Sequence, residues 1–97
     1  MIVAAATKRQ RSETYYNGRV QGVGFRYTTA QLAADFRVTG YVKNLADGGV
    51  LLVAEGDADE LDRFGKAIET HLGRYIEDRR THVGEPTGEF DDFGIRY

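Results

Sequence analysis

The sequence predicts an α+β sandwich of order β-α-β-β-α-β, with two helices packed on one face of an antiparallel sheet. Three observations predict it. Two segments, 25–36 and 57–72, repeat apolar residues at helical spacing. Short β-type segments stand before, between and after them, and Asp47-Gly48-Gly49 joins two of these as a hairpin. Ninety-seven residues suffice for a single core in a single domain, without help from metal or disulfides. A hydrophobic content of 41% with 29% charge is that of an ordinary soluble globular chain.

The elements follow in order. Residues 1–12, MIVAAATKRQRS, are expected to be a flexible leader, and residues 13–97 the domain. The apolar run Ile2 to Ala6 is too short for an export signal, and the basic residues follow it instead of preceding it. Thr14 to Val20 reads as the first strand. Phe25, Thr29, Leu32, Ala33 and Phe36 mark the buried face of the first helix. Val38 to Asn44 and Val50 to Ala54 are the arms of the hairpin. Asp57 with Glu60 suggests a capping box opening the second helix, whose stripe is Leu61, Phe64, Ile68 and Leu72, and Gly73 its closing residue. Tyr75 to Val83 is a charge-laden segment with a poor strand pattern. After a turn at Glu85-Pro86-Thr87-Gly88, alternating Phe93, Ile95 and Tyr97 read as the last strand.

The stretch with chemical content is GRVQGVGFR, residues 18 to 26. Glycines this dense cost conformational entropy, so bare backbone is needed there. A strand ending in such backbone, directly before a helix, gathers unpaired N–H groups and the positive end of the helix dipole around one point. Oxyanions bind such concavities. Arg26 stands where its planar fork can grip two anionic oxygens at once. The spacing is neither GxGxxG nor GxxxxGK[ST], so dinucleotide-fold and Walker readings fail. Alone, the stretch also fits a tight strand-to-helix turn with an exposed arginine. GVGFRY faintly echoes an RNA-binding sheet motif, but here it precedes a helix, with Phe25 on the helix's buried face. A second segment, GYVKNLADGGV at 40–50, puts Asn44 at the end of the strand entering the hairpin.

Together the two segments resemble the acylphosphatase family: Gly18 through Arg26 matches its first signature, and Gly40-Tyr-Val-Lys-Asn44 with Asp47-Gly48 and Val50 its second. The resemblance covers about residues 15–73, and the ending EPTGEF…FGIRY is also similar. It implies a ferredoxin-like fold and hydrolysis of acyl phosphates to a carboxylate and inorganic phosphate. It further implies a phosphate-binding loop at Gln21, Gly22, Val23, Gly24 and Phe25, an essential Arg26, and an Asn44 that orients the nucleophilic water. The chain departs from the family after the second helix, where Gly73 to Arg80 lacks the usual proline and valine-rich strand.

The alternative function is a non-catalytic phosphate- or anion-binding module of the same fold. The net charge of −2 gives no basic footprint, so no nucleic acid is expected as partner. No stretch approaches the ~20 apolar residues of a membrane span. Without cysteine, and with His71 and His82 lacking a second ligand at metal spacing, no metal or other cofactor is expected. The chain reads as a cytoplasmic monomer acting on a small-molecule acyl phosphate. His71, His82 and Asp47 read as structural: a helix-end cation, an isolated imidazole and a turn residue.

Overall fold

The computed structural model describes residues 8–97. Its elements are β1 (Arg9–Gly18), α1 (Phe25–Ala33), β2 (Val38–Asn44), β3 (Val50–Asp57), α2 (Ala58–Leu72), a single 3-10 turn (Gly73–Tyr75), β4 (Ile76–Gly84) and β5 (Phe93–Arg96). The sheet order is β4-β1-β3-β2-β5. Its first four strands are antiparallel neighbours in the ferredoxin-like order. The expected antiparallel sheet gains a fifth strand that pairs parallel to β2, so the sheet is mixed. Because β1 and β2 both run antiparallel to β3, and β5 runs parallel to β2, the C-terminal ends of β1, β2 and β5 lie at the same end of the sheet. This convergence builds the site.

Alternation along the strands divides the two faces. Val38, Val42, Val50, Leu52, Ala54 and Tyr16 face the helices and are buried with Phe25, Phe64, Ile68 and Leu72. Phe64 packs against the rings of Phe36 and Phe93, with centroids 5.6 and 5.5 Å away, tying α2 to the α1–β2 connection and to β5. Burial of one such phenylalanine contributes roughly 1.5–3 kcal/mol. Tyr16 and Phe25 meet at 5.1 Å, so the first residue of α1 is anchored to β1 by its ring.

Several expectations are corrected. Residues 1–7 of the expected leader lie outside the described residues, while Arg9 to Ser12 belong to β1, paired with Asp57 back to Ala54 of β3. The strand is held by pairing and charge there, not by apolar alternation, so it starts earlier than the pattern suggests. The Asp57/Glu60 capping box does not form: Asp57 makes no side-chain cap, and Glu60 Oε1 instead accepts the Arg37 N–H at 2.8 Å. Gly73 is right-handed and continues into the 3-10 turn, so it is not a left-handed helix stop. The charged segment after it is a true edge strand, β4, paired with β1. Its charges suit an edge, where like strands would otherwise add.

The outer sheet face is strapped by the segment between β4 and β5. Glu55 is a carboxylate only 1% exposed. Its Oε2 accepts from Arg11 Nη1 at 2.9 Å, from the Thr87 N–H at 2.9 Å and from the Thr87 hydroxyl at 3.0 Å; Oε1 accepts the Gly88 N–H at 2.9 Å. Arg11 also pairs with Glu13 and Glu89 and lies over the Phe90 ring. Burial alone pushes the Glu55 carboxyl up, but the Thr87 and Gly88 amides, with Arg11 and the Thr87 hydroxyl, outweigh it and hold it at about 2. A folded value below the ordinary 4.5 means stability that is fully present above that value and is lost as pH falls towards 2. The gap corresponds to about 3 kcal/mol. Glu55→Gln turns a carboxamide NH2 toward these donors and is expected to cost about 3–5 kcal/mol at pH 7. Urea unfolding at a series of pH values checks this: the deficit should shrink between about pH 5 and 2, and a deficit constant over that range contradicts the clamp.

Candidate active site

The loop begins where β1 stops. Gly18 has φ +133°, and a Cβ there would stand 2.5 Å from the Tyr75 carbonyl oxygen and 2.7 Å from the Glu77 nitrogen. Gly18 is therefore bare because β4 crosses it closely, at the irregularity in the β1–β4 register. It belongs to the sheet, and the anion reading of the three glycines narrows to two.

Those two, Gly22 and Gly24, both have φ +79° and open space where a Cβ would stand. Conformation, not crowding, selects glycine there. Their alternation with Val23 and Phe25, neither of which has positive φ, is the pattern that turns successive N–H groups into one concavity. The first turn of α1 closes through the Thr28 N–H to the Gly24 carbonyl at 2.9 Å. Among the described residues, the amides of Gly22, Val23, Gly24, Phe25 and Arg26 donate to no internal acceptor. They sit at the N-terminus of α1, where unpaired donors and the dipole favour an anion.

Arg26 lies in the first turn of α1. Its Nη1 donates to the Arg96 carbonyl at 3.4 Å, and its guanidinium lies 4.8 Å from the centroid of the Tyr97 ring. β5 thus steadies the arginine from one side and leaves most of its N–H fork unpaired. Asn44 closes β2 on the helix-facing side, following Val38, Gly40 and Val42. No hydrogen bond occupies its carboxamide among the described residues. Arg26 and Asn44 line one cleft of about 210 Å³, together with Val20, Gly22, Gly24 and Phe25. Larger grooves exist, such as one of about 400 Å³ beside Tyr16, Lys66 and Arg79. There Arg79 is paired with Glu69 and Lys66 with Asp62, so its cations are already neutralised.

The remaining residues of the expected loop play other parts. The Gln21 side chain points away from the cleft and donates to the Leu45 and Gly49 carbonyls at 2.7 and 2.9 Å, bracing the loop against the β2–β3 hairpin. Val23 packs on the core between Gly22 and Gly24, and Phe25, whose side chain is buried, lines the cleft. At the hairpin tip, Asp47 accepts from the Gly49 N–H at 2.9 Å and from the Tyr15 hydroxyl at 2.5 Å. Tyr15's hydrogen bond, then the Gly49 amide, hold its carboxyl below the usual range. Asp47 is a turn residue. His71 sits exposed in the last turn of α2, its Nδ1 2.9 Å from the Ala67 carbonyl.

Sequence reading missed Tyr27, Ile95 and Tyr97, which also line the cleft. The alternation of Phe93, Ile95 and Tyr97 carried a signal for the strand, but nothing in it said that the strand pairs beside β2. Among the described residues, no three His, Cys, Asp or Glu side chains cluster as metal ligands.

A family model described as Acylphosphatase matches residues 12–95. An acylphosphatase of Paenarthrobacter aurescens is 49% identical over 80 residues, which cover 80% of this chain and 84% of that protein. One of Methanospirillum hungatei is 46% identical over 69 residues, covering 71% and 76%. Among solved structures, the acylphosphatase from Bacillus subtilis matches with a TM-score of 0.83 at 31% identity, covering 91% of this chain and 99% of that one.

Proposed function

The chain belongs to the acylphosphatase family, and we propose that it hydrolyses acyl phosphates by holding the phosphate on the 22–26 amides and Arg26 while Asn44 aims a water at phosphorus. The activity, conversion of an acyl phosphate to carboxylate and inorganic phosphate, follows from the family. The assignment of roles rests on one observation: Arg26 and Asn44 line the same cleft as Gly22, Gly24 and Phe25, whose amides are unspent.

The leaving group explains why so few groups suffice. A departing carboxylate has a conjugate acid of pKa about 4, by analogy with side-chain carboxyls, and leaves without being protonated. In a loose transition state the charge spreads over the equatorial phosphoryl oxygens. Fixed N–H donors and a guanidinium stabilise that charge without reorganising. Asn44 supplies orientation, which converts encounter with water into a positioned attack. The water oxygen bonds to phosphorus as the phosphorus–acyl oxygen bond breaks, and the electron pair leaves on the carboxylate. No Asp, Glu or His side chain lines the cleft among the described residues, and a non-bridging phosphate oxygen takes the water's proton.

We include in this reading that the chain works as a monomer without a cofactor, because one chain contributes every group the mechanism uses. We place it in the cytoplasm, since a cysteine-free chain draws nothing from an oxidising compartment. No helix among the described residues is long and apolar enough to cross a membrane.

Benzoyl phosphate against phenyl phosphate tests the mechanism. The monoester expels a phenoxide whose conjugate acid has a pKa near 10, as in tyrosine, and is helped by a proton donor worth about 10²–10⁴-fold. Benzoyl phosphate should therefore be turned over faster by at least that span. Equal rates would reveal an unrecognised acid, and phosphate binding without turnover of either would favour the anion-binding module.

A further inference from the structure

Three large apolar side chains stand exposed among the described residues: Tyr27 at 63%, Val83 at 52% and Tyr97 at 91%. Val83 lies on the distant edge strand β4. The other two both line the cleft that holds Arg26 and Asn44. An exposed tyrosine ring forgoes the burial that makes aromatic residues stabilising, and two of them at one small opening form a local patch. Ligand sites join a few fixed polar groups to such aromatic and aliphatic walls. Here the polar groups are all committed to the phosphate end. Tyr27, Tyr97 and Ile95 supply the wall, and their place at the cleft leaves one part of the substrate for them to meet.

We propose that Tyr27 and Tyr97, with Ile95 beside them, form the subsite for the acyl group and make the enzyme selective for planar, aromatic acyl phosphates over small aliphatic ones. This rests on the acyl-phosphate reading of the cleft. The Tyr97 ring is already held by stacking on the Arg26 guanidinium, and an aromatic acyl group extends that stack. Tyr27 follows Arg26 directly in α1, so its backbone is fixed by the same first turn that presents the loop amides. Both rings are therefore placed by elements that also place the phosphate ligands. The selectivity lies in the rings and not in the hydroxyls.

The test compares kcat/KM for benzoyl phosphate with kcat/KM for acetyl phosphate in the full chain and in the doubly substituted Tyr27→Ala, Tyr97→Ala variant. Intrinsic reactivity cancels when the ratio of one protein is divided by that of the other. Any loosening of Arg26 also cancels, because both substrates carry the same phosphate. The benzoyl-to-acetyl ratio should fall about three- to tenfold, the range expected for lost aromatic contacts. A Tyr27→Phe, Tyr97→Phe variant should keep the wild-type ratio. An unchanged ratio in the alanine variant overturns the subsite, and so does an equal fall in the phenylalanine variant. If the wild-type chain hydrolyses neither substrate while folded, the acyl-phosphate reading itself fails and the subsite falls with it. Hydrolysis of both with a fixed ratio leaves that reading intact and removes only this inference.

Discussion

Arg26→Ala is expected to lower turnover of benzoyl phosphate by about 10³-fold or more and to abolish inhibition by inorganic phosphate. One oxyanion donor contributes about 10²–10³, and arginines facing a phosphoryl transition state reach 10³–10⁵. Arg26 is also the one cation lining the cleft among the described residues, so nothing nearby substitutes for it. The fold should not suffer. The side chain leaves behind one 3.4 Å contact to the Arg96 carbonyl and an exposed stack on Tyr97, neither of which is a core interaction. Thermal unfolding within about 0.5 kcal/mol of wild type would confirm that the loss is functional. Arg26→Lys should recover little, since an ammonium keeps the charge but not the two-pronged geometry. Retained phosphate inhibition in the alanine variant would remove the arginine from the cradle.

Asn44→Ala is expected to separate binding from chemistry. Its carboxamide has no internal partner to lose, and it sits at the end of β2 facing the cleft. Turnover should fall about 10²–10³-fold, in line with loss of a positioned reactant or a fixed polar group. Phosphate should inhibit within about threefold of wild type, because the loop amides and Arg26 stay in place. An Asn44 variant that loses phosphate affinity while keeping kcat would exchange the roles assigned to the two residues.

The parts of the site that come from local sequence were legible. Gly22 and Gly24 announce a turn that L side chains resist, α1 follows at once, and Asp47-Gly48 fixes where Asn44 ends its strand. Whatever depends on long-range pairing was not. Arg9 to Ser12 lack apolar alternation, yet β3 extends to Asp57 and recruits them into β1. Glu55 reads as a charge on a strand, and its burial follows only once Arg11 and the Thr87–Gly88 amides converge from distant positions. Gly18 and Gly22 are alike in sequence but differ in cause, one crowded by β4 and the other held at positive φ in open space. Tyr97 reaches Arg26 because β5 lies parallel to β2, and that neighbour is invisible in a four-residue strand.

The most direct measurement follows the backbone amides themselves while inorganic phosphate is titrated into the wild-type, Arg26→Ala and Asn44→Ala chains, by two-dimensional ¹⁵N NMR. The amide signals of Gly22, Val23, Gly24, Phe25 and Arg26 should move together with one saturating constant in the wild type. They should move almost identically in Asn44→Ala and stay still in Arg26→Ala. Saturable shifts confined to other amides, such as those around Arg79 and Arg80, with residues 22–26 unmoved, would contradict the cradle.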